Sequence, residues 1–158
     1  MVIRHLDQKL KDHISKYKEV LILLGARQVG KTTIIKRIFP DSEYLIVDNE
    51  PIKNALEHYD PSVYRQLLNN KSNYVVIDEI HKLSDPGRAA KIFFDQLPQY
   101  KLIITGSSSF NIKNKASESL AGRKIDYHLF PLSMSEYLVQ NGLEKNLSFQ
   151  FFEKLISG

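Results

Sequence analysis
The chain has 158 residues, one domain at roughly 100 to 200 residues per domain, with 22 Lys plus Arg against 18 Asp plus Glu and a net charge of +4. Its 42% hydrophobic and 25% charged residues exclude the disordered, collagenous and coiled-coil classes. Cysteine is absent, which removes thiol catalysis, Cys-ligated zinc and iron-sulfur centres.

The N-terminus is charged from Arg4 onward and lacks the apolar stretch of a secretory signal. The longest aliphatic run, residues 20–24, falls far short of the roughly 20 that span a bilayer, so a cytoplasmic protein with no membrane contact is expected. Leu6, Leu10 and Ile14 recur at helical spacing and predict an amphipathic helix over 5–17. Strands are predicted at 20–24, 44–47, 74–77, 102–105 and 125–130. The first four are nearly continuous aliphatic runs, as in strands buried on both faces of a parallel sheet, and the alternating fifth belongs at an edge.

The connections are long enough for crossover helices. Asp60-Pro61 and Asp85-Pro86 each read as an N-cap followed by proline at the first helical position. Ser133 and Glu136 form a capping box that opens a last helix running through Val139. The order of elements predicts an α/β, three-layer domain with a mainly parallel five-stranded sheet, its core at 19–140.

Between the first strand and the next helix, LILLGARQVGKTTII places Gly25, Gly30, Lys31 and Thr32 in the pattern G-x-x-x-x-G-K-[ST]. The glycines allow a tight turn in which the N–H groups of Ala26, Arg27, Gln28, Val29 and Thr33 join in surrounding a phosphate, aided by the positive end of the helix. Lys31 bridges β- and γ-phosphates in this chemistry, and the Thr32 hydroxyl ligates Mg²⁺. The third strand, YVVIDEIHK, ends in Asp78-Glu79 at the carboxyl edge of the sheet, where open α/β sheets bind ligands. Asp78 is expected to hold Mg²⁺ through its water shell and Glu79, pointing the other way, to orient or deprotonate an attacking water. The fourth strand ends in Gly106, Ser107, Ser108 and Ser109, and Ser107 is expected to face the γ-phosphate. G-x-S-x-G is broken by Phe110, which rejects a serine-hydrolase elbow.

GARQVGKTT, VVIDEIHK, LIITGSSS and ESLAGRKIDYHLFPLSMSEY, in that order, resemble the ATP-binding domain of the AAA+-like bacterial and archaeal ATPases that carry a C-terminal DUF4143 domain. The resemblance implies an additional-strand P-loop core in which the Asp78-Glu79 strand is separated from the P-loop strand by the fourth strand. It also implies sensor 1 at Ser107, an arginine at Arg123 that acts in trans in a homo-oligomer, and an adenine pocket near Ile3 and Arg4. Members of the family continue beyond the point where this sequence stops, so a further domain is expected after the apolar end FQFFEKLISG.

The leading expectation is an Mg²⁺-dependent ATPase, taking ATP to ADP and phosphate as the nucleotide-driven part of a larger protein. Two alternatives stay open. Asp48, at the end of the second strand, is placed where a P-loop phosphotransferase holds an acceptor hydroxyl, or it simply caps the next helix. A nucleotide-gated module with little hydrolysis, for DNA or protein, is the other, although the scattered basic residues favour a solvated surface. Asn70-Lys71-Ser72-Asn73 lacks the aspartate of a guanine-reading N-K-x-D and precedes its strand, which favours ATP over GTP. The five histidines show no metal-ligand spacing. Lys113 and Lys115 read as solvated loop charge, and Glu118 is the acid placed to pair with Arg123 if that arginine is structural.

Overall fold
The computed structural model describes residues 4–107 and 120–140, with the side chains of Val139 and Gln140 excepted. The expectations for Ile3, Ser108, Ser109, Lys113, Lys115, Glu118 and the apolar C-terminal end lie outside the described residues. The elements are α1 (Leu6–Lys16), β1 (Val20–Gly25), α2 (Lys31–Ile38), β2 (Glu43–Ile46), α3 (Glu50–Glu57) and α4 (Pro61–Leu67). After these come β3 (Tyr74–Asp78), a 3₁₀ turn (Ile80–Lys82), α5 (Pro86–Gln96), β4 (Lys101–Gly106), β5 (Lys124–Leu129) and α6 (Met134–Gln140). All five strands pair in parallel in the order β2-β3-β4-β1-β5. β4 thus separates the Asp78 strand from β1, and β5 is an edge.

The alternation of side chains along each strand splits the core into two layers. Leu21 and Leu23 of β1 join Val76 and Ile103 against Leu10 and Ile14 of α1 and Ile34 and Ile35 of α2. Val20, Ile22 and Leu24 turn the other way, with Val75, Ile77 and Ile104, onto Leu56 of α3, Tyr64 of α4 and Phe93 of α5. Every residue of β1 is buried, as its uninterrupted aliphatic run requires of a strand covered on both faces. β5 is half-exposed along most of its length.

Helix entries follow the expected chemistry. Asp60 accepts from the Ser62 N–H at 2.7 Å and Asp85 from the Arg88 N–H at 3.0 Å. Ser133 and Glu136 cap reciprocally: the Ser133 N–H donates to Glu136 Oε2 at 3.0 Å, and the Glu136 N–H donates to Ser133 Oγ at 3.2 Å. α3 is capped at Asn49 without a side-chain bond, so Asp48 is not its cap. Buried His13 has Nε2 2.8 Å from the Glu19 carbonyl and Nδ1 3.1 Å from the Tyr127 hydroxyl, tying α1 to β5.

Candidate functional site
β1 delivers the chain to the carboxyl edge of the sheet, and the G-x-x-x-x-G-K-[ST] sequence turns there. A Cβ on Gly25 would stand 2.5 Å from the Leu129 carbonyl oxygen and 2.9 Å from Val29 Cγ1. Only glycine lets β1, β5 and the loop approach so closely. Gly30 precedes α2 at φ +98, in the left-handed region that favours glycine. The turn directs the first residues of α2, Lys31 and Thr32, into the loop's concavity.

Lys31 is 6% exposed, and its ammonium donates to the carbonyls of Gly25 and Ala26, both at 2.9 Å. The sequence pattern implies no such partners. They take two of the three Nζ donors and hold the ammonium beneath the loop. The Thr32 hydroxyl donates to Asp78 Oδ2 at 3.2 Å, which joins the P-loop to the end of β3. Tyr44 of β2 donates to the same oxygen at 3.4 Å, and burial, reinforced by the negative Asp78, pushes its phenol well above the ordinary range.

Glu79 is the first residue after β3 and has left-handed backbone, φ +59. That turn carries its side chain away from the path of β3. Its Oε2 lies 3.2 Å from His81 Nδ1; burial pushes the His81 pKa below its usual value, with the charge of Glu79 acting against that. Thr105 of β4, fully buried, donates its hydroxyl proton to Asp78 Oδ1 and accepts from the Glu79 N–H at 3.2 Å. Thr105 stands within LIITGSSS, where the pattern assigns it no role, and Tyr44 belongs to no motif. The register Ile77↔Ile104 and Ile46↔Asp78 brings them there.

Two hollows flank the loop. One, of about 500 Å³, is lined by Arg27, Lys31, Thr32, Asp48, Glu79 and Lys82 among others. The second, of about 540 Å³, lies beyond Val29 and Gly30, between Arg4, Ile34, Arg37 and the Pro131-Leu132 pair. Arg4 reaches across it, with Nε 3.2 Å from Glu136 Oε1 and Nη2 donating to the Phe130 carbonyl at 2.6 Å. Arg37 is held by Asp7 of α1 at 2.5 Å. Among the described residues no group of three or more His, Cys, Asp or Glu could hold a metal ion.

Lys31, Thr32, Asp78 and Glu79 therefore converge on one cleft, and Ala26, Arg27, Gln28, Val29 and Thr33 form its loop and helix start. Ser107 follows directly on β4, whose Gly106 pairs with Leu24 of β1, so it too stands at the carboxyl edge. Asp48 lines the cleft and is ion-paired with Lys82 through one carboxylate oxygen. Arg123 is elsewhere. Its carbonyl accepts from the Val20 N–H at 2.7 Å, at the amino edge of the sheet, and its Nε lies 3.5 Å from Asp95. The chain does not bring Arg123 to its own P-loop.

The family model described as an AAA domain matches residues 17–138. An uncharacterized protein of Mycobacterium tuberculosis is 31% identical over 105 residues, which cover 66% of this chain and 23% of the relative. An uncharacterized protein of Methanocaldococcus jannaschii is 27% identical over a 167-residue alignment, covering 93% of this chain and 34% of the relative. The chain thus spans about a quarter to a third of the length of the curated relatives it matches.

Among solved structures, the Aeropyrum pernix Orc1 protein in complex with DNA superposes with a TM-score of 0.57 at 14% identity, covering 88% of this chain and 48% of that one. The Pyrococcus horikoshii signal transduction ATPase with a tetratricopeptide repeat sensor superposes with a TM-score of 0.54 at 18% identity, covering 99% and 28%. These likenesses establish the fold alone, a three-layer α/β architecture of the P-loop NTPase type with a mainly parallel sheet. The chain belongs to the AAA domain family.

Proposed function
Proceeding from that membership, we propose that the cleft binds ATP with Mg²⁺ and hydrolyses it to ADP and phosphate. The observation that carries this reading is the junction of the two motifs, Thr32 Oγ1 against Asp78 Oδ2 at 3.2 Å beside buried Lys31. Hard oxygen donors from a hydroxyl and a carboxylate suit Mg²⁺, which keeps most of its waters and takes few protein ligands. When bound there, the ion neutralises charge on the phosphate oxygens.

The protein's own residues do the rest. Lys31 exchanges its two loop carbonyls for phosphate oxygens, and the N–H groups of 26–33 surround the β-phosphate. Glu79 accepts a proton from the attacking water as the water oxygen bonds to the γ-phosphorus; the bond to the bridging oxygen breaks and ADP keeps the electron pair. Ser107 faces the γ-phosphate from β4. The adenine and ribose occupy the hollow between Arg4 and the Pro131-Leu132 pair, whose mixed apolar and cationic lining suits a base near phosphates. Arg123 serves the site of a neighbouring copy. The domain is the nucleotide-driven part of a longer cytoplasmic protein in which a DUF4143 domain follows it, a reading supported by relatives about three times its length.

Calorimetric titration with ATP and ADP, each with and without Mg²⁺, together with phosphate release, tests this reading. Glu79→Gln is expected to retain ATP and slow release by about 10² to 10⁴, whereas Asp78→Asn weakens the Mg²⁺ dependence of binding. Two mutants that behave alike would refute the division of labour between the acids.

A further inference from the structure
Asp78 and Glu79 have different tasks, yet one hydroxyl touches both. Thr105 has a single proton and gives it to Asp78 Oδ1; its lone pairs then face the Glu79 N–H at 3.2 Å. The arrangement is directional, since a carboxylate only accepts and an amide N–H only donates. Thr105 is 0% exposed and sits in β4 between the two strands that bear the motifs, where backbone pairing fixes its Cα and β-branching restricts its χ1.

Each bond acts on geometry the site needs. With Oδ1 held by Thr105, the Asp78 carboxylate turns Oδ2 toward Thr32 and Tyr44, the side on which the Thr32 hydroxyl would share a cation with it. The second bond pins the Glu79 amide at the start of its left-handed turn. Left-handed backbone at a non-glycine residue is unfavourable unless its surroundings fix it. The direction of the Glu79 side chain follows from that turn.

We infer that Thr105 is a positioning residue, whose one hydroxyl sets the metal-facing orientation of Asp78 and the backbone turn of Glu79 together. The inference rests on the ATPase reading for its catalytic consequence, but the positioning itself belongs to the folded chain. Outer partners of ligating groups typically carry 10- to 100-fold of metal affinity or activity.

Thr105→Val keeps the shape and removes the hydroxyl, and Thr105→Ser keeps the hydroxyl; Thr105→Ala replaces the valine variant if that fails to fold. Amide hydrogen exchange followed by NMR reads the positioning without nucleotide. Protection of the Glu79 N–H is expected to be lost in Thr105→Val and retained in Thr105→Ser, with the other β3 and β4 amides unchanged. In calorimetry Thr105→Val binds Mg²⁺-free ADP like the wild type but loses about tenfold or more of the affinity that Mg²⁺ adds. At saturating ATP its kcat falls about 10- to 100-fold with KM little changed, and Thr105→Ser restores both. A protected Glu79 amide in Thr105→Val, or an unchanged Mg²⁺ gain, overturns the inference. Loss of Glu79 protection in Thr105→Val, together with a wild type that releases no phosphate, overturns the hydrolytic reading alone.

Discussion

At the scale of single residues the site divides into groups with local signatures and groups without. Gly25, Gly30, Lys31 and Thr32 are legible because a phosphate loop is one short segment whose spacing is its geometry; Asp78-Glu79 is legible because an aliphatic run ends on it. Thr105 and Tyr44 are not, because strand register alone sets them beside Asp78, and register is a relation between distant segments. Lys31 shows the limit of a motif. The pattern predicts a phosphate ligand and says nothing of the Gly25 and Ala26 carbonyls that hold it. Lys31→Ala removes two charge-assisted bonds from the loop and the cation from the cleft, with hydrogen bonds to charged groups worth about 1.5 to 3 kcal/mol each. ATP affinity is expected to fall by at least about tenfold in calorimetry, while circular dichroism keeps the helix and strand signal. Unchanged affinity would remove the loop from nucleotide binding.

Among the elements, the strands were predictable to within about a residue because the first four are aliphatic runs bounded by polar turns and the fifth alternates apolar with polar residues. α4, α5 and α6 announced themselves through their caps. α3 did not, since Asn49 makes no side-chain cap bond and the nearby acid, Asp48, is drawn to Lys82 across the cleft. α6 carries more than its cap. Glu136 accepts from the Ser133 and His5 amides and from Arg4, so one carboxylate fastens α6 to the chain preceding α1 at the rim of the second hollow. Burial raises its pKa, but those hydrogen bonds and the charge of Arg4 outweigh it and hold it at about 2, against an ordinary 4.5. Between pH 4.5 and about 2 the unfolded chain takes up a proton that the folded one refuses. This contribution to stability is therefore complete above pH 4.5 and is lost as pH falls toward 2. Glu136→Gln is expected to melt lower at neutral pH and to lose less on acidification across that window. Parallel acid limbs for mutant and wild type in a series of thermal melts would show that the carboxylate is not the group responsible.

For the whole molecule, the sheet has a phosphate edge and an opposite edge, and Arg123 belongs to the second. β1 runs six residues from Val20 to Gly25, so at about 3.3 Å per residue the Arg123 backbone stands roughly 17 Å along the sheet from the loop. Its guanidinium, 3.5 Å from Asp95 and 6.0 Å from the Phe94 ring centroid, lies on the layer side formed by α5. No side chain spans that distance, so an Arg123 that meets γ-phosphate charge meets it on another copy, in a head-to-tail contact between unlike edges. The local pair gives little reason to expect a structural role. Both partners are about a third exposed, and exposed pairs contribute about 0 to 1 kcal/mol. Arg123→Ala is therefore expected to shift the melting temperature only slightly. If the arginine acts between copies, phosphate release per molecule rises with wild-type concentration, while the mutant stays at the dilute-limit rate. Arginines supplied in trans carry about 10³- to 10⁵-fold in other P-loop enzymes, so even weak association leaves a measurable difference. Release measured over a concentration series, with sedimentation velocity at each point, separates the cases. Identical rates for mutant and wild type at concentrations where the wild type has associated would take Arg123 out of the reaction and leave it as a partner of Asp95.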